Sequence, residues 1–433
     1  MHARGSGFFD FSFSTLTIGN LLVAILFFAI PSKPMEVGSV AIAVFLLVDL
    51  IIITAVPKLR LEEGWVGTTS VIWSTLIAFY TVITNRVVAW GKKEEEERLT
   101  GRQETRRSLA EWLAVFVATL IQIVLVVVVV LLTATLIMRA RDAGVAAPGE
   151  RYLVDGDKYS IHLACVGNNT YDKYGKERPT VLVEGGEQPV EDTMINWVHN
   201  AYVNGTIDRY CYYDRPGIAF SDNAPSPHSA GMTSDALSEA LVSADELGPW
   251  VLISAGVGGI YSRIFSSRHK AEVRGIMLID ALHEDLLPDL GNPSKGFLLW
   301  LRGVISPLGW DRLFGAIFNG RTPEDRVYGK SAYQTGKFIK AKLQESLVAD
   351  SLTKSEVSQA RHIQNDETPV VIVSSGDKTR QSDEWEKKQR LLTKITNKLV
   401  SWDIVKGAPH EVWHTYEGRS TLEKRVGELL RAA

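Results

Sequence analysis

The stretch Ser254-Ala255-Gly256-Val257-Gly258 ends one apolar run, W-V-L-I, and opens a helical one, I-Y-S-R-I-F. A strand that turns sharply into a helix lifts its corner residue clear of the backbone, which is how G-x-S-x-G presents a serine hydroxyl for attack on a carbonyl. A histidine must take the hydroxyl proton and an acid must orient that histidine. Here the corner holds Gly256, which has no side chain to attack with. Ser254 is the nearest hydroxyl with a claim, two residues early and at the end of the strand, while Ser262 belongs to the helix beyond.

Such a corner needs a sheet to hold it. From Glu150 onward, short β-rich runs separated by Gly, Asp, Asn and Pro alternate with helical stretches, which predicts an α/β sheet. R-Y-L-V, D-G-D and K-Y-S-I-H-L-A-C-V form an opening hairpin. T-V-L-V-E-G-G, R-Y-C-Y-Y-D-R-P-G, W-V-L-I-S-A-G, G-I-M-L-I-D and P-V-V-I-V-S-S-G-D each lead into a loop or helix, and L-V-S-W-D-I-V supplies the last strand.

On these ordered motifs, the segment from Thr180 to Asp285 resembles the α/β-hydrolase superfamily. Glu184-Gly185-Gly186 follows the third strand, Asp214-Arg215-Pro216-Gly217 with Ser221-Asp222 is similar to D-R-x-G-x-x-x-S-D, Gly258-Gly259 close the elbow, and His410 stands in G-A-P-H-E after the last strand. The resemblance implies an α/β-hydrolase fold, a mostly parallel sheet with a helical cap. It places Gly256 at the nucleophile position and assigns oxyanion donors to Gly186, Glu187 and Val257. It makes His410 the histidine, with His414 as a neighbour, and offers two acids. Asp377 follows the seventh strand; Asp280 ends the sixth and is favoured by the subgroup that also carries Trp385-x-x-x-Gln389. His283, Glu284 and Asp285 are expected to support a lid loop. The cap insertion, about 286–367, contains Trp300, Trp310, Phe314, Phe318, Tyr328 and Tyr333, which form the cap's own core or admit an acyl chain.

The first third of the chain is a membrane region. Four apolar stretches, Phe13 to Ile30, Val37 to Val56, Trp65 to Trp90 and Leu109 to Met138, are each near the roughly 20 residues that cross a bilayer. The organisation expected is an all-α transmembrane region over 1–140 and the hydrolase-like domain over 150–433, a multi-pass integral membrane protein similar to uncharacterised fungal proteins of this layout. Asp49 interrupts F-L-L-V-D-L-I-I-I, where an unpaired carboxylate costs about 2.5 to 3.5 kcal/mol. Its expected role is a packing contact with Asn20 or Gln122, the alternative being an ion path. The mixed-charge stretch from Lys92 to Arg107 reads as a solvated helix.

Lys92, Lys93, Arg98, Arg102, Arg106 and Arg107 favour that loop as cytoplasmic, which puts the N-terminus and the large domain on the other side. Sequons at Asn168 and Asn204 are usable only in that orientation. Cys165 and Cys211 are expected as two buried thiols.

A net charge of −3 gives no reason to expect nucleic acid. With no G-x-x-x-x-G-K-[S/T], no cofactor and no metal are expected. Because removing the nucleophile from a working triad costs on the order of a million-fold in kcat, the expected function is a membrane-anchored pseudo-hydrolase. Its expected partners are the bilayer, a hydrophobic small-molecule or lipid ligand, and a protein. The alternatives are an active esterase on lipid-like esters using Ser254, and a transport or assembly role of the helices around Asp49.

Overall fold

The computed structural model describes residues 4–102 and 107–433; Arg106, counted above in the basic loop, lies outside them. Two compact units result. One runs to Val145 and also takes in Leu301–Arg326 and Gln334–Gly336; the other comprises Ala146–Trp300, Val327–Tyr333 and Lys337–Ala433. The insertion after the sixth strand is therefore shared between them.

The first unit is built on α1 (Phe8–Leu26), α2 (Lys33–Ala55), α3 (Pro57–Thr100) and α4 (Leu109–Asp142), all long and apolar enough to cross a membrane. Their ends follow local rules. Pro57 opens α3, whose missing N–H costs nothing in a first turn. Ser108 caps α4 in a box with Glu111, each satisfying the other's backbone N–H. Gly64, at φ +66°, breaks α3 just before Trp65, and the helix then continues through the charged stretch to Thr100. Small and polar side chains join the helices: Asn20 donates to Thr81 at 3.1 Å, Thr17 and Ser74 share a 2.7 Å bond, and Gly38 leaves room for the side chain of Gln122. Asp49 is fully buried and faces Thr133 of α4, so neither expected partner is the one it meets.

The second unit holds one eight-stranded sheet: β1 (Glu150–Val154), β2 (Tyr159–Val166), β3 (Thr180–Glu184), β4 (Tyr210–Tyr213), β5 (Trp250–Ala255), β6 (Val273–Ile279), β7 (Val370–Ser375) and β8 (Leu399–Val405). Their order is β1-β2-β4-β3-β5-β6-β7-β8, and only β2 runs against the rest. Helices on both faces bury the central strands completely, so these read as continuous apolar runs. Alternation still divides them: Val181, Val183, Ile253 and Met277 pack into one face, Leu182, Leu252, Ile276 and Leu278 into the other.

The two cysteines are joined in a disulfide, contrary to the expectation of separate thiols. The antiparallel register of β2 on β4 sets Cys165 directly opposite Cys211, a pairing that spacing along the chain does not reveal.

Candidate active site

The acid and the histidine are positioned by the ends of β6 and β8. Asp280, immediately after β6, adopts φ +43°, a conformation that costs a residue with a Cβ on the order of 1–3 kcal/mol and so needs support from its surroundings. Its Oδ1 accepts from the Ser375 amide and from the Trp385 indole, both at 2.9 Å, and its Oδ2 lies 2.6 Å from His410 Nδ1. Gln389, one turn beyond Trp385, donates to the Ala281 carbonyl and fixes the same loop. The second acid candidate, Asp377, opens a short helix and pairs with Arg380 at 3.0 Å; it takes no part in this arrangement. His414 is exposed and bonds Glu411.

At the elbow, Gly256 has φ +50° between β5 and the helix Gly258–Arg268. A Cβ added there would stand 2.5 Å from both carboxylate oxygens of Glu187. That carboxylate also accepts from the Val257 amide, at 3.1 Å through Oε1, and meets His410 Nε2 at 3.3 Å through Oε2. Asp280, His410 and Glu187 thus form a chain ending beside the corner. The side chain of Glu187, a residue expected to contribute its backbone, occupies the place a serine hydroxyl would take.

The loop that carries Glu187 is held by Arg215 of the D-R-P-G motif. Its buried guanidinium donates to Glu184 at 2.7 Å and to the carbonyls of Gly185 and Gly186, and lies 4.6 Å from the centre of the Tyr261 ring. Asp214, Ser221 and Asp222 of the same motif bind His162 and Ser160 of β2, tying the turn to the sheet. A Cβ on Gly185 would lie 3.0 Å from the Gln188 carbonyl and from Val190 Cγ2, so glycine keeps this turn tight, whereas a Cβ on Gly186 would make ordinary contact with Ala255.

Electrostatics follow from this geometry. Burial disfavours the charged form of His410, but its hydrogen bonds to Asp280 and Glu187 and their negative charge outweigh it and carry the pKa up to about 9. Partial desolvation opposes ionisation of Glu187, whose side chain is still about half exposed, yet the bond to His410 and its positive charge bring its pKa down to about 2. Near neutral pH the pair is imidazolium and carboxylate.

Ser254 is fully buried within β5, in register between Glu184 of β3 and Leu278 of β6. Glu284 is buried against Arg263 at 2.6 Å, and Asp285 pairs with Lys388 at 2.8 Å. Of the cap aromatics, Trp300, Trp310, Phe314 and Phe318 are exposed rather than gathered into a core. Tyr333 bonds Gln188 and Asp192, just beyond Glu187.

A mostly parallel sheet in this strand order, an elbow after β5, an acid after β6 and a histidine after β8 define an α/β-hydrolase fold behind a four-helix membrane region. The chain is 35% identical over 454 residues to an uncharacterised protein of Schizosaccharomyces pombe, spanning 98% of this chain and 84% of the relative, and it belongs to that protein's family. Residues 1–165 match a region of unknown function (DUF2417). An uncharacterised vacuolar membrane protein of Saccharomyces cerevisiae is 27% identical over 387 residues, 75% of this chain and 60% of the relative. This is a multi-pass integral membrane protein. Among solved structures, an α/β hydrolase from a Medee basin deep-sea metagenome library has 12% identity and a TM-score of 0.47 over 65% of this chain and 96% of its own. The Cif epoxide hydrolase of Acinetobacter nosocomialis has 14% identity and a TM-score of 0.48 over 69% and 96%. Neither likeness bears on activity.

Proposed function

We propose that the domain is a pseudo-hydrolase that binds a hydrophobic ligand or a protein partner. The observation that carries this reading is the Glu187 carboxylate lying 2.5 Å from where a Gly256 side chain would begin. Three requirements of acyl transfer are unmet together. The corner has no hydroxyl, the Val257 amide suited to an oxyanion already serves Glu187, and His410 keeps its proton near neutral pH. In this reading Asp280 and His410 hold the Glu187 loop rather than activate a nucleophile.

The esterase alternative has only Ser254, and full burial inside β5 argues against it. The transport alternative has one clear intramembrane acid, Asp49, and a packing role accounts for it equally well. The disulfide and the exposed sequon residues Asn168 and Asn204 support a large domain on the non-cytoplasmic side. The name of the budding yeast relative supports the vacuolar membrane as its place.

A fluorophosphonate probe on detergent-purified protein tests the reading. No labelling is expected. Stoichiometric labelling, at Ser254 above all, would restore the esterase alternative.

A further inference from the structure

The sequence between β6 and β7 contributes Leu301–Arg326 to the same compact unit as the four membrane helices. Within it, the helix Trp310–Phe318 has two unlike faces. Arg312 and Gly315 are buried, whereas Trp310, Phe314, Ile317 and Phe318 are 44, 49, 69 and 72% exposed. The exposed residues recur at helical spacing, so they form one stripe. Their rings stack in sequence, Trp310 on Phe314 at 5.7 Å and Phe314 on Phe318 at 5.6 Å.

Contacts with α4 set the level of this helix along the membrane region. Just before it, Leu308 accepts a hydrogen bond from Thr135, and Gly309 packs on the same side chain. After it, Arg326 forks onto Asp142 with bonds of 2.6 to 3.0 Å. Thr135 and Asp142 are about two turns apart, roughly 10 Å along the axis. The two ends of the segment are therefore held within a layer of about that depth along α4.

The same layer is the edge of the apolar span. Residues from Trp112 to Met138 carry no charge, and Arg139 is the first that does. Arg139 bridges Glu62 and Glu63, which brings the Gly64 break and the 62% exposed Trp65 to this level. Trp65 and the aromatic stripe near this level fit the aromatic belt of a membrane–water boundary, where the Arg139 and Arg326 ion pairs begin.

We propose that the helix Trp310–Phe318 lies in the headgroup layer of the bilayer, with Trp310, Phe314, Ile317 and Phe318 inserted toward the acyl chains and Arg312 turned to the protein. Lipid is the occupant because the stripe belongs to the unit of the four apolar helices and is anchored where the apolar run of α4 ends. An amphipathic helix of this kind buries its apolar face about 5–10 Å into the interface. The insertion thus adds a monotopic contact to the four spans.

The chain has two cysteines, bonded to each other, so an introduced thiol is uniquely reactive. Phe318→Cys, and in parallel Ile317→Cys, is labelled with a polarity-sensitive fluorophore in the full chain and reconstituted into phosphatidylcholine liposomes. Controls are Tyr416→Cys, 83% exposed in the other unit, and Val124→Cys, 59% exposed in mid-α4. The expected result is quenching by phosphatidylcholine spin-labelled near the headgroup, with iodide quenching several-fold below that at Tyr416→Cys. Iodide quenching equal to Tyr416→Cys would overturn the proposal. Protection from iodide and from spin-labelled lipid alike would also overturn it, because a protein surface would then cover the stripe. If one variant does not yield monodisperse protein, the other decides.

Discussion

Glu187 stands in for the side chain that Gly256 lacks. Its carboxylate takes the amide of Val257 at 3.1 Å and faces Nε2 of His410 at 3.3 Å, the two groups that a serine nucleophile and its oxyanion would otherwise engage. A serine at the corner and a glutamate in this rotamer are sterically exclusive, since a Cβ at Gly256 would lie 2.5 Å from both oxygens. A side chain at residue 256 would require the Glu187 carboxylate to move aside.

The ion pair makes a pH prediction. His410 is raised from 6.5 to about 9, so its contribution to stability is complete below 6.5 and is lost as pH rises through about 9. Glu187 is lowered from 4.5 to about 2, so its contribution is complete above 4.5 and is lost as pH falls toward about 2. Titration of the His410 ring, followed by NMR and assigned by His410→Asn, should have a midpoint near 9 and move down in Glu187→Gln. A midpoint at the ordinary histidine value, unmoved by Glu187→Gln, would show that the pair does not form in solution.

Orientation is tested by glycosylation. Asn168 and Asn204 are exposed in the large domain, so both acceptors are reachable if that domain faces the secretory lumen. Digestion with an N-glycosidase should increase gel mobility, and Asn168→Gln with Asn204→Gln should remove the shift. A large domain wholly digested by protease added to the cytoplasmic face of sealed vesicles would contradict the orientation.

Asp49 is buried in α2 facing Thr133 with neither carboxylate oxygen in a hydrogen bond, whereas an amide can donate to Thr133 without a carboxylate to desolvate. Asp49→Asn should therefore leave abundance and detergent-extracted thermal stability unchanged or slightly higher, and Asp49→Leu should lower both. Normal folding of Asp49→Asn with loss of a cellular phenotype would favour an ion path instead.

Much of this architecture is legible from the residues. β5 and β7 are buried on both faces, so they stand out as unbroken apolar runs, and the glycines of the elbow mark the turn directly. Trp385 and Gln389 pointed to Asp280 rather than Asp377, and their hydrogen bonds to Asp280 and the Ala281 carbonyl give the physical content of that signal. What spacing does not convey is what loops and registers bring together. The side chain of Glu187 reaches the corner from a loop whose Gly185 and Gly186 carbonyls are held by Arg215, distant in sequence. Cys165 meets Cys211 only through the register of β2 on β4. The aromatic residues of the insertion looked like the core of a cap because a stripe facing lipid and one facing protein have the same period.

The central claim is that Glu187 occupies the nucleophile position, and one pair of variants tests it most directly. Gly256→Ser alone must place a Cβ at positive φ, costing on the order of 1–3 kcal/mol, against a carboxylate that already fills the space. It should remain inert to a fluorophosphonate probe. Gly256→Ser combined with Glu187→Ala clears the space, frees the Val257 amide and leaves His410 paired with Asp280 alone. The double variant should label at residue 256, and His410→Ala added to it should abolish labelling. A folded double variant that stays inert, or a single Gly256→Ser variant that labels as fast as the double, would contradict the account.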